Sequence, residues 1–391
     1  MAEDLSPQPP FPVSEFRART ARLQQRMDQD GLDVLWLTSP ADVYYTTGFL
    51  TRFWESPARP WFVLVPAQGA PVAVIPEIGA APFTRSWLTD IRTWPAPDPD
   101  DDGVSLLCDT LAEFVPTSGC IGVPMGLETQ LRMPLADYTR VIEALAPRRF
   151  TDATDAVQRV REIKSEAEID RIRDTCCCAA AAFEHVPQIA QAGVPLSTVF
   201  RRFQAALLEA GADWVSYLAG AAGPEGYEDV ISAATDRPLT PGDVLMLDTG
   251  AVRAGYFCDF DRNFSIGPAS DPVKRAHAAL HSATDAALAA LRPGMRAADM
   301  HRILAEGVSA AGATPGGGRL GHGLGLTLTE WPSATPKDST PLRNGMVLTL
   351  EPSAVVSKGR VLVHEENIVL RDDGPELLSP RAPALLPELP L

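Results

Sequence analysis

The chain has 391 residues, with 34 Lys and Arg against 50 Asp and Glu, a formal charge of −16, and 45% hydrophobic residues. That length exceeds one ordinary domain of about 100–200 residues, so two are expected, and the apolar content excludes a wholly disordered chain. The acidic balance argues against a nucleic-acid binder, which needs a basic face, and no apolar run approaches the ~20 residues of a spanning helix.

The opening residues, Met1-Ala2-Glu3-Asp4, lack the basic-then-apolar order of a secretory signal, which reads as a soluble cytoplasmic protein. Residues 1–12 are proline-rich and read as a tail. Ser14 can cap a helix running toward Asp30, with Phe16, Leu23 and Met27 at helical spacing. Short apolar runs at 33–38, 61–66 and 71–76 predict strands, and residues 106–115 and 135–144 predict helices. This is an α/β domain without a single histidine, assigned to residues 1–155.

The second domain, 156–391, begins near the capping box Ser165-Glu166-Ala167-Glu168. Its first helix carries Cys176, Cys177 and Cys178 and reaches His185, where Pro187 ends or kinks it. Another helix follows Pro195, then strands over 243–264. Helices at 272–291 and 297–311 precede strands at 346–352 and 360–370. The order helix, helix, strands therefore occurs twice and hints at a duplication. Residues 379–391 read as a loose proline-rich tail. The six cysteines, three of them consecutive, fit neither a disulfide framework nor a CxxC zinc site and read as buried free thiols.

Chemistry concentrates in the second domain. Leu247-Asp248-Thr249-Gly250 is followed eleven residues later by Asp259, with Arg253-Ala254-Gly255 available for a tight turn. A turn centred there places Asp248 opposite Asp259 on paired strands, close enough to repel unless a proton or cation lies between them. His322 lies in Gly321-His322-Gly323-Leu324-Gly325, Glu351 follows the apolar run Met346–Leu350, and Glu365 ends the run 360–364. Acids at the ends of buried strands are costly unless paired or metal-bound. Four carboxylates and a neutral imidazole carry −4, which two divalent cations balance. Oxygen ligands with one imidazole suit Mn, Fe, Co or Zn.

In this order and with these flanks, Asp248, Asp259, His322, Glu351 and Glu365 resemble the motif of the pita-bread metallopeptidases, the creatinase, aminopeptidase P and prolidase family. The resemblance covers about residues 160–375. A looser one, at Ser39-Pro40-Ala41-Asp42-Val43-Tyr44-Tyr45-Thr46-Thr47-Gly48-Phe49, is to the creatinase-type amino-terminal domain. The resemblance implies a pita-bread catalytic domain behind that α/β domain, and the five residues as ligands of two divalent metal ions, Mn foremost. It implies Glu351 as the base, hydrolysis of an amide-like C–N bond in an Xaa-Pro dipeptide, and a homodimer. Hydrolysis of a small molecule, as in the ectoine hydrolase and creatinase branches, is an alternative. So is C–S bond cleavage, as in the dimethylsulfoniopropionate lyases.

The sequence also departs from the family. Where its peptidases place substrate-side histidines, this chain has Ile231, Gly318 and Thr329, leaving His364 and Arg319 as polar substitutes, and Asp261 stands where a Thr is usual. His364 is assigned a catalytic role. The segment 51–60 mixes Trp54 and Arg59 with further aromatics. By the resemblance it caps the partner's site, with Arg59, Trp54 and Arg319 binding a small-molecule or dipeptide substrate. No nucleic-acid or membrane partner is expected.

Overall fold

Apolar runs of four or five residues, buried along their whole length, become strands Val34–Leu37, Phe62–Pro66, Val72–Pro76 and Cys120–Val123. Strands covered on both faces need continuous rather than alternating hydrophobicity. The computed structural model describes residues 10–55 and 59–391. It divides into two units, Met1–Arg161 and Glu162–Leu391.

In the first unit these strands join Ile91–Trp94 and Arg149–Asp152 in a six-stranded mixed sheet. Val34–Leu37 lies inside it, antiparallel to Phe62–Pro66 and parallel to Cys120–Val123. Trp36, Phe62, Leu64 and Ile121 pack with Leu107 and Leu111 of helix Val104–Phe114 and with Val141 of helix Leu135–Leu145. The first helix, Val13–Asp30, starts one residue before Ser14, behind Pro12, and ends at the left-handed Gly31. The unit closes with helix Thr154–Arg161, past the expected boundary at 155. That helix belongs here because Ala156, Val157 and Val160 are buried and its charged ends bind Arg26 and Asp42.

In the second unit, helices Glu166–Phe183 and Leu196–Glu209 precede a sheet ordered Glu388–Leu389, Phe260–Ile266, Asp243–Arg253, Trp214–Pro224. Helices Asp271–Ala290 and Ala297–Ala310 precede a sheet ordered Glu330–Ser333, His322–Gly323, Val347–Leu350, Glu366–Arg371, Gly374–Leu377. Both halves of the capping box form: Glu168 N donates to Ser165 Oγ and Ser165 N to Glu168. No helix among the described residues is long and apolar enough to cross a membrane.

Three expectations change. The closing segment is not a loose tail: Glu388–Leu389 pairs in parallel with Phe260–Ile266, and Leu386 and Leu389 are buried. Proline lacks an N–H but accepts freely, so at a sheet edge Pro387 O takes the amide of Ser265. The predicted strand 360–370 is two strands, interrupted at His364 and Glu365. All six cysteines are free, but Cys108 is half-buried and Cys177 exposed, the latter because three consecutive helical residues cannot all face a core.

Candidate metal centre

The centre is built first from a hairpin. Strand Asp243–Arg253 turns back through Ala254 and Gly255, at φ of 50° and 84°, the positive values a two-residue hairpin turn needs. With only two residues in the turn, Asp261 rather than Asp259 lies directly opposite Asp248. The expected pairing is thus two residues out of register. Since strand side chains alternate, Asp259 still emerges on the same face as the diagonal neighbour of Asp248. Asn367 fixes its backbone: Asp259 N donates to Asn367 Oδ1 at 2.9 Å, and Asn367 Nδ2 donates to Asp259 O.

The other residues arrive from the second sheet. Gly321 (φ 135°) passes so close to Thr349 O that a Cβ would lie 2.2 Å from it, which lets the chain deliver His322 into the sheet. The imidazole Nδ1 lies 2.8 Å from Gly323 O, so Nδ1 carries the proton and Nε2 is aimed at the acids. Nε2 is 3.1 Å from Asp259 Oδ2 and 2.9 Å from Glu351 Oε1. Thr349 Oγ1 donates to the same Glu351 oxygen at 2.5 Å. Glu365, at the break between strands, is held through its amide, which donates to Asp261 Oδ1 at 2.7 Å.

Two triads result. Asp259, His322 and Glu351 each offer a ligand atom within 4.8 Å of the others, and so do Asp248, Asp259 and Glu365. Burial, then the neighbouring acids, raises Asp248 and Glu365 well above the usual carboxylate range. Burial also lifts Asp259 to about 6, against the pull of His322. For His322 burial opposes charge, yet Glu351 and Asp259 together raise it to about 10. Glu351 is held low despite burial by His322, Thr349 and Arg319. Such opposed shifts mark carboxylates assembled for a cation. Asp248 Oδ1 and Glu365 Oε2 are both buried without a hydrogen-bond partner. A buried anionic oxygen in that condition is costly, and a divalent ion satisfies it. Four carboxylates and one imidazole fit such ions.

Comparison with known proteins decides the family. Residues 170–372 match Metallopeptidase family M24, and residues 19–163 match the Creatinase/Prolidase N-terminal domain. The chain belongs to metallopeptidase family M24. It is 28% identical to the Probable dipeptidase PepE of Mycobacterium tuberculosis over 367 residues, 93% of this chain and 94% of the relative. The crystal structure of dipeptidase PepE from Mycobacterium ulcerans superposes with a TM-score of 0.84 at 26% identity, covering 97% of this chain and all of that one. For prolidase from Pyrococcus horikoshii the TM-score is 0.81 at 21% identity, covering 94% and 100%, a likeness of fold alone. This M24 protein is therefore a metal-dependent hydrolase. A creatinase-type α/β domain precedes its pita-bread domain, as the resemblance implied.

Other residues singled out in the sequence of this M24 hydrolase are members of neither triad. His364 turns its buried ring to Arg381, whose Nη1 donates to Nε2 at 2.7 Å, and stands 6.3 Å from the rings of His277 and His281. It precedes Glu365, and neighbouring extended residues point oppositely. The exposed Arg319 is close enough to lower Asp259 and Glu351. Asp261 is wholly buried and spends its oxygens on Glu365 N and Asn263 Nδ2. Trp54 and Arg59 belong to the first unit, where Arg132 donates to both of their carbonyls at 2.7 Å and stacks over Trp54. Residues 56–58 of that segment lie outside the described residues.

Tyr217 escaped the sequence reading. It pairs with Gly250 beside a β-bulge, and burial, then Asp248, Glu365, Asp259 and Glu351, pushes its phenol well up, which keeps it protonated. Nothing in its neighbourhood along the chain signals this. Asn367, two residues after Glu365, carries no such signal either.

Proposed function

We propose that this M24 hydrolase is a dipeptidase that uses two divalent cations, held by Asp248, Asp259, His322, Glu351 and Glu365, to cleave Xaa-Pro-type dipeptides. One observation carries the dinuclear reading: Asp259 belongs to both triads, so its carboxylate can bridge two ions. When bound, such a pair supplies Lewis-acid polarisation of the scissile carbonyl and a water acidic enough to attack near neutral pH. Oxygen-rich ligands with a single imidazole favour Mn, with Fe, Co or Zn as substitutes.

The chain's own groups do the rest. Glu351 keeps 13% of its side chain exposed and its carboxyl low, so it takes the proton from the attacking water and passes it to the leaving nitrogen. Thr349 Oγ1 and Gly323 O fix Glu351 and His322 in place for that transfer. The phenol of Tyr217 supplies a proton donor toward the developing oxyanion. Arg319 attracts the substrate carboxylate. In a homodimer, Trp54 and Arg59 of one subunit cap the site of the other. His364 we place outside the chemistry, because its Nε2 is taken by Arg381.

A second reading, hydrolysis of a compact amide or amidine, is favoured at the family's histidine positions. Gly318 has no side chain and open space at its Cβ, and Ile231 is 78% exposed. Assay of Xaa-Pro dipeptides beside ectoine-like and methylated amidines in ¹⁸O-water, with metal analysis of the same sample, tests both. The expectation is two equivalents of metal, dipeptide cleavage with ¹⁸O in the new carboxylate, and no activity after chelation until Mn is restored. One equivalent per chain rejects the bridge, and an alkene product rejects hydrolysis. Arg59→Ala should raise KM roughly tenfold, about the worth of one charge-assisted contact, with kcat little changed; unaltered kinetics would sink the cap.

A further inference from the structure

Behind the metal-facing surface of the second unit lies a partly open cavity of about 320 Å³. Phe183, Phe260 and Phe264 form its apolar wall, with His277 and His364 on its polar side. Nearly every polar group around it is used. Arg262 donates to the carbonyls of Asp261 and Glu365 and to Glu366, and Arg381 donates to Glu366, Asp285 and His281 O. Asn263 donates to Val363 O and accepts from Tyr227. The two arginines are thus held by Glu366 and Asp285, and Glu184 adds a carboxylate at the exposed end of the lining.

Two imidazole nitrogens stand out. His277 is 4% exposed and its Nε2 lies 3.0 Å from Pro383 O. A carbonyl only accepts, so Nε2 carries the proton and Nδ1 is left as an acceptor, buried and without a partner. Burial lowers the His277 pKa and keeps the ring neutral. His364 is reversed. Its Nε2 faces a guanidinium that only donates, so the proton is on Nδ1, which makes no hydrogen bond among the described residues. One unused acceptor and one unused donor, on rings 6.3 Å apart at 84°, line the same apolar cavity.

We propose that this cavity is a second binding site, separate from the metal centre, for an uncharged apolar molecule bearing a hydroxyl or primary amide. Such a group both donates and accepts, so it satisfies His277 Nδ1 and His364 Nδ1 together. A carboxylate leaves His277 facing an acceptor, an ammonium leaves His364 facing a donor, and a hydrocarbon leaves both unmet. His277 Nδ1, buried and without a partner, carries the penalty that makes the choice selective.

Calorimetric and saturation-transfer NMR titration of the full-length, metal-loaded protein with benzyl alcohol and benzamide tests the site. Both should bind saturably, about tenfold more tightly than toluene, benzoate or benzylammonium, the worth of one buried hydrogen bond. His277→Phe should erase the advantage over toluene. Ala180→Phe, which fills the cavity from its wall and leaves both histidines in the sequence, should abolish binding and leave dipeptide hydrolysis and melting temperature unchanged. Toluene binding as well as benzyl alcohol, titration unaffected by Ala180→Phe, or no saturable binding by any probe would overturn the proposal.

Discussion

Glu365 and Glu366 are consecutive carboxylates with opposite circumstances. Glu366 is wholly buried and saturated: it accepts from Arg262, Arg381, Ser379 Oγ and Ala382 N. Glu365 forms no ion pair among the described residues; Asp248 and Glu351 press on it, and its Oε2 has no hydrogen-bond partner there. The flip between them follows from strand alternation, one face of Phe260–Ile266 and Glu366–Arg371 turned to the triads and the other to the Arg262–Arg381 layer. The contrast separates two uses of a buried acid. One provided with donors by the fold holds structure together, whereas one denied them awaits a ligand.

Exchanging each carboxylate for its amide breaks the comparison most sharply. Glu365→Gln should cost roughly 10³-fold or more in kcat/KM, since several kcal/mol of metal-borne charge stabilisation go with the ligand. The chelated variant should melt no lower than chelated parent, because the amide replaces a buried carboxyl that its acidic neighbours crowd. Glu366→Gln should do the reverse, lowering stability by about 3–5 kcal/mol by leaving the buried Arg262 guanidinium without its carboxylate, with metal per folded chain unchanged. Calorimetry and metal analysis of both variants read this directly. Equal stability losses would show that the neighbours do not differ in kind.

The difference was only partly legible in the sequence. Asp248, Asp259, His322, Glu351 and Glu365 could be picked out because acids after apolar runs and a histidine among glycines are anomalous locally. Their mutual register could not. It depends on a turn with Ala254 in the left-handed region, which alanine rarely occupies, and that choice moved Asp261 opposite Asp248. Tyr217 was invisible because a β-bulge sets its facing. The last thirteen residues misled for a different reason: their prolines argue against strand donors, yet Pro387 and Leu389 contribute carbonyls that pair at a sheet edge. The short apolar runs and helical spacings, by contrast, announced the α/β character of the first unit.

A pH titration sharpens the contrast at intermediate size. In the metal-free protein Asp259 is raised from 3.8 to about 6 and His322 from 6.5 to about 10, with Asp248 and Glu365 also raised. Each group binds its proton more tightly folded than unfolded. Stability present below pH ~4 is therefore lost as pH climbs through 6, and the His322 share goes between ~6.5 and ~10. Chelated protein should lose on the order of 2 kcal/mol between pH 4 and 6, and a metal-loaded sample should lose little or none. Denaturant melts at fixed pH check the sign; a chelated protein that grew firmer with rising pH would mean the triads are not crowded.

The smallest test concerns the saturated side. Ser379 Oγ donates to Glu366 at 2.5 Å and accepts from Asn367 N at 3.0 Å, so one hydroxyl ties the buried carboxylate to the residue that clamps Asp259. Ser379→Ala removes a single donor from a carboxylate that keeps both arginines, which should cost about 1–2 kcal/mol. If the two faces are independent, metal affinity stays put. If Asn367 shifts when its amide loses the hydroxyl, affinity falls by about tenfold, the lower end of what displaced supporting groups cost. Competition titration with a chromophoric chelator distinguishes these, and the second outcome would make the structural face a tuner of the first.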